Sequence, residues 1–406
     1  MPDRYRLRSF RGWSVLVVVL LVAGCGGSPS GGGQPTAPGG SSANCATRPT
    51  ATGEAWVTNN QVEGSINGSP TMTLSSFSYP LGLPGEGQFG ADQLSALFWA
   101  PDAKHLAVVV TVFQGQSQVY YPYVVDTATR AVTRVMLPGT TVLSAPGAWV
   151  PWRLLAWADT HTLLIFAAGS SGGSESTVSY SYDLNSGTVS PLPGVTSAAE
   201  GVVRCSTLFY LDLTPLKPVG NTSALQGTAL LHRYDLTSQS EIGRPVTLGD
   251  TSSRPGAEGN LDFPGWDASP DGSHIAYEQT RLVGASLSAQ FVAAKADGSD
   301  PAPILTGISP QPDALMAISP DGMLVAVTNT GAASAVVSGA MSGSPAHAYT
   351  PNSDAPLAWL ADSSGFEANV IDENGSSIER YPLNTGDGTM AGMVAVPGAS
   401  NPAILA

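Results

Sequence analysis

Apolar residues in this chain fall in short runs that alternate with polar positions, and clusters of Gly, Pro, Asp and Ser break them at close intervals. A period near two with frequent turn residues predicts strands joined by hairpins. The runs also repeat. Trp266 to Thr280 reads WDASPDGSHIAYEQT, and Met316 to Thr330 reads MAISPDGMLVAVTNT. Further copies begin at Leu97 (LFWAPDAKHLAVVVTVF), Leu154 (LLAWADTHTLLIFAA) and Leu357 (LAWLADSSGFEANVID), with a weaker one, CSTLFYLDL, at Cys205. Neighbouring copies lie about 40 to 60 residues apart, the range of propeller blades.

Every copy has the same physical content. A short apolar strand ends in a turn, and a second apolar strand follows. Pro presets φ, Asp caps the turn with its carboxylate, and Gly takes positive φ. Pro270-Asp271-Gly272 and Pro320-Asp321-Gly322 are complete, Pro101-Asp102-Ala103 lacks the Gly, and Asp159 and Asp362 stand without either neighbour. The Asp therefore matters more to the hairpin than the Gly. These turn residues read as structural. A second hairpin lies downstream of most copies, as in VVDTATRAVTRVML and YDLNSGTVSPL. Two hairpins per period make four strands, one blade. The expectation is an all-β propeller of four-stranded antiparallel blades, six in number, with seven as the alternative. Glu54 to Leu81 also alternates, and reads as outer strands closing the last blade or as a degenerate seventh.

The pattern W/I-x-x-S-P-D-G-x-x-I/L-A resembles the repeat of TolB-like propellers, which is found also in prolyl-oligopeptidase-type peptidases. The match covers roughly residues 95–395, with two full copies, three partial and one faint. The resemblance implies a six- or seven-bladed propeller that binds proteins or holds a catalytic partner domain.

The first residues read MPDRYRLRSFRGW, then SVLVVVLLVAG, then Cys25. A basic start, a short apolar run and small residues before a break predict a secretory signal peptide over 1–24. Val22-Ala23-Gly24-Cys25 resembles the lipobox of bacterial lipoproteins, which implies lipidation of Cys25 and a membrane attachment through its acyl chains. The anchor would face the periplasm or the cell exterior. Residues 26–44 hold no large apolar side chain and read as a flexible tether with an r.m.s. reach of about 25 Å. A single folded domain over 45–406 follows. Cys45 and Cys205 are the two remaining cysteines, and an exported protein lets them persist as a disulfide.

Charge narrows the function. The formal net charge is −14 although the leader is basic, so the body repels phosphate backbones and nucleic-acid binding is excluded. Local motifs give no catalytic or cofactor site. Gly85-Glu86-Gly87-Gln88-Phe89-Gly90 matches the dinucleotide fingerprint but precedes no helix pattern. Gly169-Ser170-Ser171-Gly172-Gly173 matches a nucleophile elbow, yet an alternating strand follows, so it reads as a hairpin tip. His105, His161, His232, His274 and His347 are scattered without metal-ligand spacing, and the first, second and fourth read as exposed turn positions. Asp297-Gly298-Ser299-Asp300 and Asp372-Glu373-Asn374-Gly375 read as polar turns without calcium-loop spacing. Trp99, Trp157, Trp266 and Trp359 fall in first strands, where packing between blades explains them. Trp149 and Trp152 lie between blades and are a candidate surface contact for sugar or peptide.

The resulting expectation is a cell-envelope lipoprotein whose propeller binds another protein without catalysis. The alternatives are a propeller that binds glycan or cell-wall ligands, and an enzyme whose site converges at the central channel.

Overall fold

The structure is a computed structural model. It describes residues 51–58, 60–77, 81, 83, 93–114, 117–138, 153–171, 174–195, 198–213, 217–218, 225–253, 261–262, 265–283, 286–305, 315–328, 335–339, 347–349, 353–372, 375–382, 393–397 and 399–405. Among them there is no helix.

Six successive antiparallel units follow the chain. Blade one is built from Gln93–Trp99, His105–Gln114, Ser117–Asp126 and Val132–Arg134; blade two from Leu155–Trp157, Thr162–Ser171, Ser174–Asp183 and Thr188–Pro191. Blade three has Ala198–Arg204, Thr207–Leu213 and Leu225–Asp235, with Ser240–Glu241 and Val246–Ser253 outside them. Blade four has Trp266–Ala268, His274–Val283, Ser286–Lys295 and Ala302–Pro303. Blade five has Leu315–Ile318, Leu324–Thr328, Ala335–Gly339 and His347–Tyr349; blade six has Ser353–Trp359, Gly365–Asp372, Gly375–Pro382 and Met393–Pro397.

The seventh unit joins the two ends of the described chain. Gly53–Thr58 pairs with Ser400–Leu405 on one side and Gln61–Ile66 on the other, and Met72–Ser76 lies outermost. The Glu54 segment thus supplies outer strands to a blade whose inner strand comes last. Among the described residues the blades number seven, the alternative, rather than the six first expected. The reason is that the closing strand, SNPAIL, carries no turn motif to mark it as a repeat.

The first strand of each blade, and Ser400–Leu405 in the seventh, touches its counterparts in the neighbouring blades, so seven inner strands form a closed ring. Successive strands step outward from it. Apolar side chains from facing blades fill the gaps between them. Val108, Val110 and Trp99 of blade one meet Ala55, Val62 and Leu74 of blade seven, and Phe209, Leu211 and Leu231 of blade three meet Trp266 and Tyr277 of blade four. Burying faces on both sides explains why the second strands of blades one, two and five hold nearly unbroken apolar runs. Blades three and four come closest where Gly249 pairs with Thr280 in parallel. A Cβ at Gly249 would lie 2.1 Å from the Thr280 carbonyl oxygen, and its φ is +147°, so only glycine fits there.

Each blade meanders, so the turn after the first strand and the turn after the third fall at one end of the molecule. Hydrogen bonds tie these two tiers together. The Thr127 N–H donates to Lys104 O, Leu184 N–H to His161 O, Leu236 N–H to Ser206 O and Ala296 N–H to Ser273 O.

Candidate functional site at the inner ring

At the turn-bearing end the repeat is regular. Asp102 Oδ1 accepts from Lys104 N–H at 2.9 Å, Asp271 Oδ1 from Ser273 N–H at 3.0 Å, Asp321 Oδ1 from Met323 N–H at 3.0 Å and Asp362 Oδ1 from Ser364 N–H at 2.9 Å. Asp159 accepts from both His161 and Thr162 N–H at 2.7 Å. Gly272 and Gly322 take φ of 69° and 71°, and the same left-handed position is held by Ala103 at 57° and Ser363 at 58°. These carboxylates are distributed one to a blade, each bound into its own turn, and the structure does not bring them together. Burial opposes ionisation of Asp271, but hydrogen bonds from Ser269 and Ser273 outweigh it and hold the carboxyl below its ordinary range.

Other residues singled out in the sequence fall as follows. Cys25, Cys45, Trp149 and Trp152 lie outside the described residues, as does the Gly85–Gly90 motif. Cys205 sits in the first turn of blade three, half-buried, with φ of 57°. Gly169 to Ser171 end a strand whose partner starts at Ser174, so the nucleophile-elbow match is a hairpin. Asp297 caps Ser299 N–H at 2.9 Å in a turn. The histidines depart from expectation. His105 and His274 are half-buried rather than exposed, because the second strand begins at them and draws their rings against the blade. Nor is His232 isolated: its ring stacks on Tyr210 at 4.8 Å, with Nδ1 3.5 Å from Glu241 and Nε2 3.7 Å from Asp212.

The tryptophans reveal how blades are joined at the ring. Trp99 Nε1 donates to Ala403 O of blade seven at 3.2 Å, Trp157 Nε1 to Phe98 O of blade one at 2.8 Å, and Trp359 Nε1 to Ala317 O of blade five at 3.0 Å. In each case the indole at the end of one inner strand reaches back to a carbonyl of the preceding blade. Burial of the ring and satisfaction of its N–H come from one contact. Blades four and five have Ala268 and Ile318 at this position. Trp266 lies two residues earlier in its strand, and its Nε1 donates to the carboxylate of Glu200 on blade three instead.

Charged side chains occupy the place of the missing indoles. Arg204, at the end of the blade-three inner strand, donates through Nε to Ala268 O at 2.8 Å and through Nη2 to Asp267 Oδ1 at 3.0 Å. Asp267 also accepts from Ala268 N–H at 2.9 Å and, through Oδ2, from Ile318 N–H of blade five at 2.7 Å. Arg153 precedes the inner strand of blade two. Its Nη2 donates to Met316 O of blade five at 2.9 Å, and its guanidinium lies 4.5 Å above the Trp266 ring. Glu200 and Asp267 are each 3.9 Å from it. One guanidinium therefore touches blades three, four and five from a backbone in blade two.

The side chain of Asp267 is 6% exposed and that of Arg153 19%. Removing these charges from water is offset by pairing and by backbone partners. Burial pushes the Glu200 carboxyl up, Arg153 and the Trp266 indole oppose that, and Asp267 reinforces it. Chemically the cluster has two faces: a salt-linked clamp across four blades, and one carboxyl biased toward its protonated form beside a second carboxylate. Among the described residues, no group of three or more His, Cys, Asp and Glu is placed to hold a metal ion.

Local motifs did not point to Arg153, Glu200, Arg204 or Asp267. The signal that was present is positional: within the repeated sentence, Asp267 interrupts a strand position filled by Phe98, Ala156, Ala317 and Ala358 in other blades.

No protein-family model matches the chain, and no curated protein does either. Solved structures do. The structure of TolB from Acinetobacter baumannii has 14% identity and a TM-score of 0.42, covering 87% of this chain and 66% of its own. An oligogalacturonate lyase in complex with manganese has 12% identity and a TM-score of 0.45, covering 82% and 90%. An acylaminoacyl peptidase from Pyrococcus horikoshii has 8% identity and a TM-score of 0.47, with 76% of this chain against 47% of that one. In fold, the chain is a β-propeller. The likeness to these solved structures extends to the fold alone.

Proposed function

We propose that the chain is an exported lipoprotein, acylated at Cys25, whose propeller binds a protein partner at the cell envelope without catalysing a reaction. One observation carries the non-catalytic part. The arginines and carboxylates of the inner ring are engaged with one another, with an indole N–H and with backbone groups, an arrangement suited to holding four blades rather than to turning over a substrate. The VAGC sequence after a basic and apolar leader supports the anchor. The disulfide-bonded state of Cys205 supports its pairing with Cys45, which would bind the end of the tether to the folded body. The acidic composition supports a protein partner over nucleic acid.

One observation favours an enzyme as the second reading: Glu200, with its carboxyl pushed up beside Asp267, has the character of a general acid. The test is crosslinking in intact cells followed by mass spectrometry, with wild type, Cys25→Ala and Glu200→Gln compared. Binding predicts that Glu200→Gln captures the same partner as wild type. Cys25→Ala should leave the detergent phase and lose the partner. Wild-type fractionation of Cys25→Ala with membranes would remove the anchor, and loss of a small-molecule turnover in Glu200→Gln would favour the enzyme.

A further inference from the structure

The ends of this propeller are not equivalent, and the first described residues and Cys205 lie at one of them. The described fold begins at Ala51, and Thr52 is stapled to the turn between the third and fourth strands of blade seven, counted outward from Ser400–Leu405. The Thr52 N–H donates to Asn67 Oδ1 at 3.0 Å, and the Asn67 N–H donates to Thr52 O at 2.9 Å. Gly53 then pairs with Leu405, the last residue of the inner strand in that blade. Inner strands run toward the turn-bearing end, so the chain joins the fold there. Cys205 is at the same end, in the first turn of blade three.

Contacts between neighbouring turns show that the blades share this polarity. The Asp321 N–H donates to Ser363 Oγ at 3.1 Å, and Gly272 sits against Arg204. Aspartates of both turn tiers give this end its charge: Asp102, Asp159 and Asp271 in the first, Asp126, Asp183 and Asp235 in the second.

We propose that the turn-bearing end faces the anchoring membrane, and that the opposite end, where the inner strands begin near Arg153, faces away from it. This rests on the lipid-anchor reading. Both points of attachment, Thr52 through its staple and Cys205 through its proposed bridge, are on the membrane side. To invert the body, a tether with an r.m.s. reach of about 25 Å would have to run the length of a blade. The strand Thr162–Ser171 has 10 residues and spans about 33 Å. Inversion therefore stretches the tether beyond its relaxed length. Repulsion between the acidic end and anionic headgroups opposes this orientation only within a Debye length of about 8 Å, shorter than the reach of the tether.

The lipidated full chain, reconstituted in phosphatidylethanolamine–phosphatidylglycerol vesicles with acceptor-labelled headgroups, tests this by energy transfer. Donors are placed at Asn185→Cys, in an exposed turn, or at Arg281→Cys, exposed near the opposite end of a blade-four strand. Wild type serves as the labelling control. The expected result is transfer several-fold more efficient from position 185 than from position 281. Equal transfer, or more from position 281, in protein that floats with the vesicles overturns the orientation and leaves the anchor standing. Failure to float overturns the anchor and the orientation with it.

Discussion

Blades one, two and six are each joined to the blade before them by a single tryptophan, whereas blades three, four and five are joined by a charged cluster. The two solutions occupy the same part of the inner ring and perform the same mechanical task. They differ in what they tolerate. An indole donating to a carbonyl is a neutral contact whose ring also fills the gap between blades, so its loss is local. The charged cluster holds one buried carboxylate, Asp267, among half-buried guanidiniums and Glu200, and its desolvation is offset only while its partners are in place. A clamp of that kind fixes four blades relative to one another, and it fails as a unit.

The largest expected effect follows from this contrast. Asp267→Ala leaves Ile318 N–H without its acceptor, Arg204 without its carboxylate and Arg153 with Glu200 alone, and should destabilise by about 3–5 kcal/mol. Trp157→Phe keeps an aromatic ring in place while removing one donor to Phe98 O, and should cost about 1–3 kcal/mol. Urea unfolding of the two variants beside wild type checks the order. Equal losses would mean that the two kinds of joint are energetically alike.

The regular joints were legible in the sequence and the irregular ones were not, for a physical reason. A turn Asp and an apolar strand pair recur in five blades because the first hairpin demands them, with glycine at the positive-φ position in two. Their spacing therefore announced four-stranded units before any coordinates. Trp99, Trp157 and Trp359 were visible as first-strand residues, but not their reach to a carbonyl of the preceding blade. The cluster of Arg153, Glu200, Arg204 and Asp267 is long-range, its members being brought together only by closure of the ring, and no local pattern encodes that. The seventh blade was legible only as the alternative to six for the same reason. Its inner strand and its three outer strands lie at opposite ends of the described chain.

An intermediate effect separates structural aspartates from functional ones at the turn-bearing end. Asp271→Ala should cost about 0.5–2 kcal/mol, by analogy with helix caps of similar chemistry. Gly272→Val should cost as much or more, because a β-branched side chain resists the φ of 69°. Both variants should retain any crosslinked partner while the blade stays folded. Unchanged melting temperature together with abolished capture would place Asp271 in a binding surface.

The smallest effect sets the two regions against each other through pH, because their carboxyls are shifted in opposite directions. Glu200 is pushed up by burial, so its contribution to stability is fully present below its unfolded value and is lost as pH rises through the folded one. Backbone and side-chain hydrogen bonds depress Asp126, and hydrogen bonds from Ser269 and Ser273 outweigh burial at Asp271. Their contributions are present above the unfolded value of about 3.9 and disappear as pH falls through the folded values. Stability should therefore climb modestly from neutral into weakly acidic solution and then fall below about pH 4. Melting curves between pH 8 and pH 2.5 would resolve the two limbs. Glu200→Gln should reduce the neutral limb, which Glu367 shares, and leave the acid one, while Asp271→Asn should soften only the acid limb, which the other turn aspartates also carry. If Glu200→Gln runs parallel to wild type from pH 8 to pH 5, the Glu200 carboxyl of the inner ring is not what titrates there.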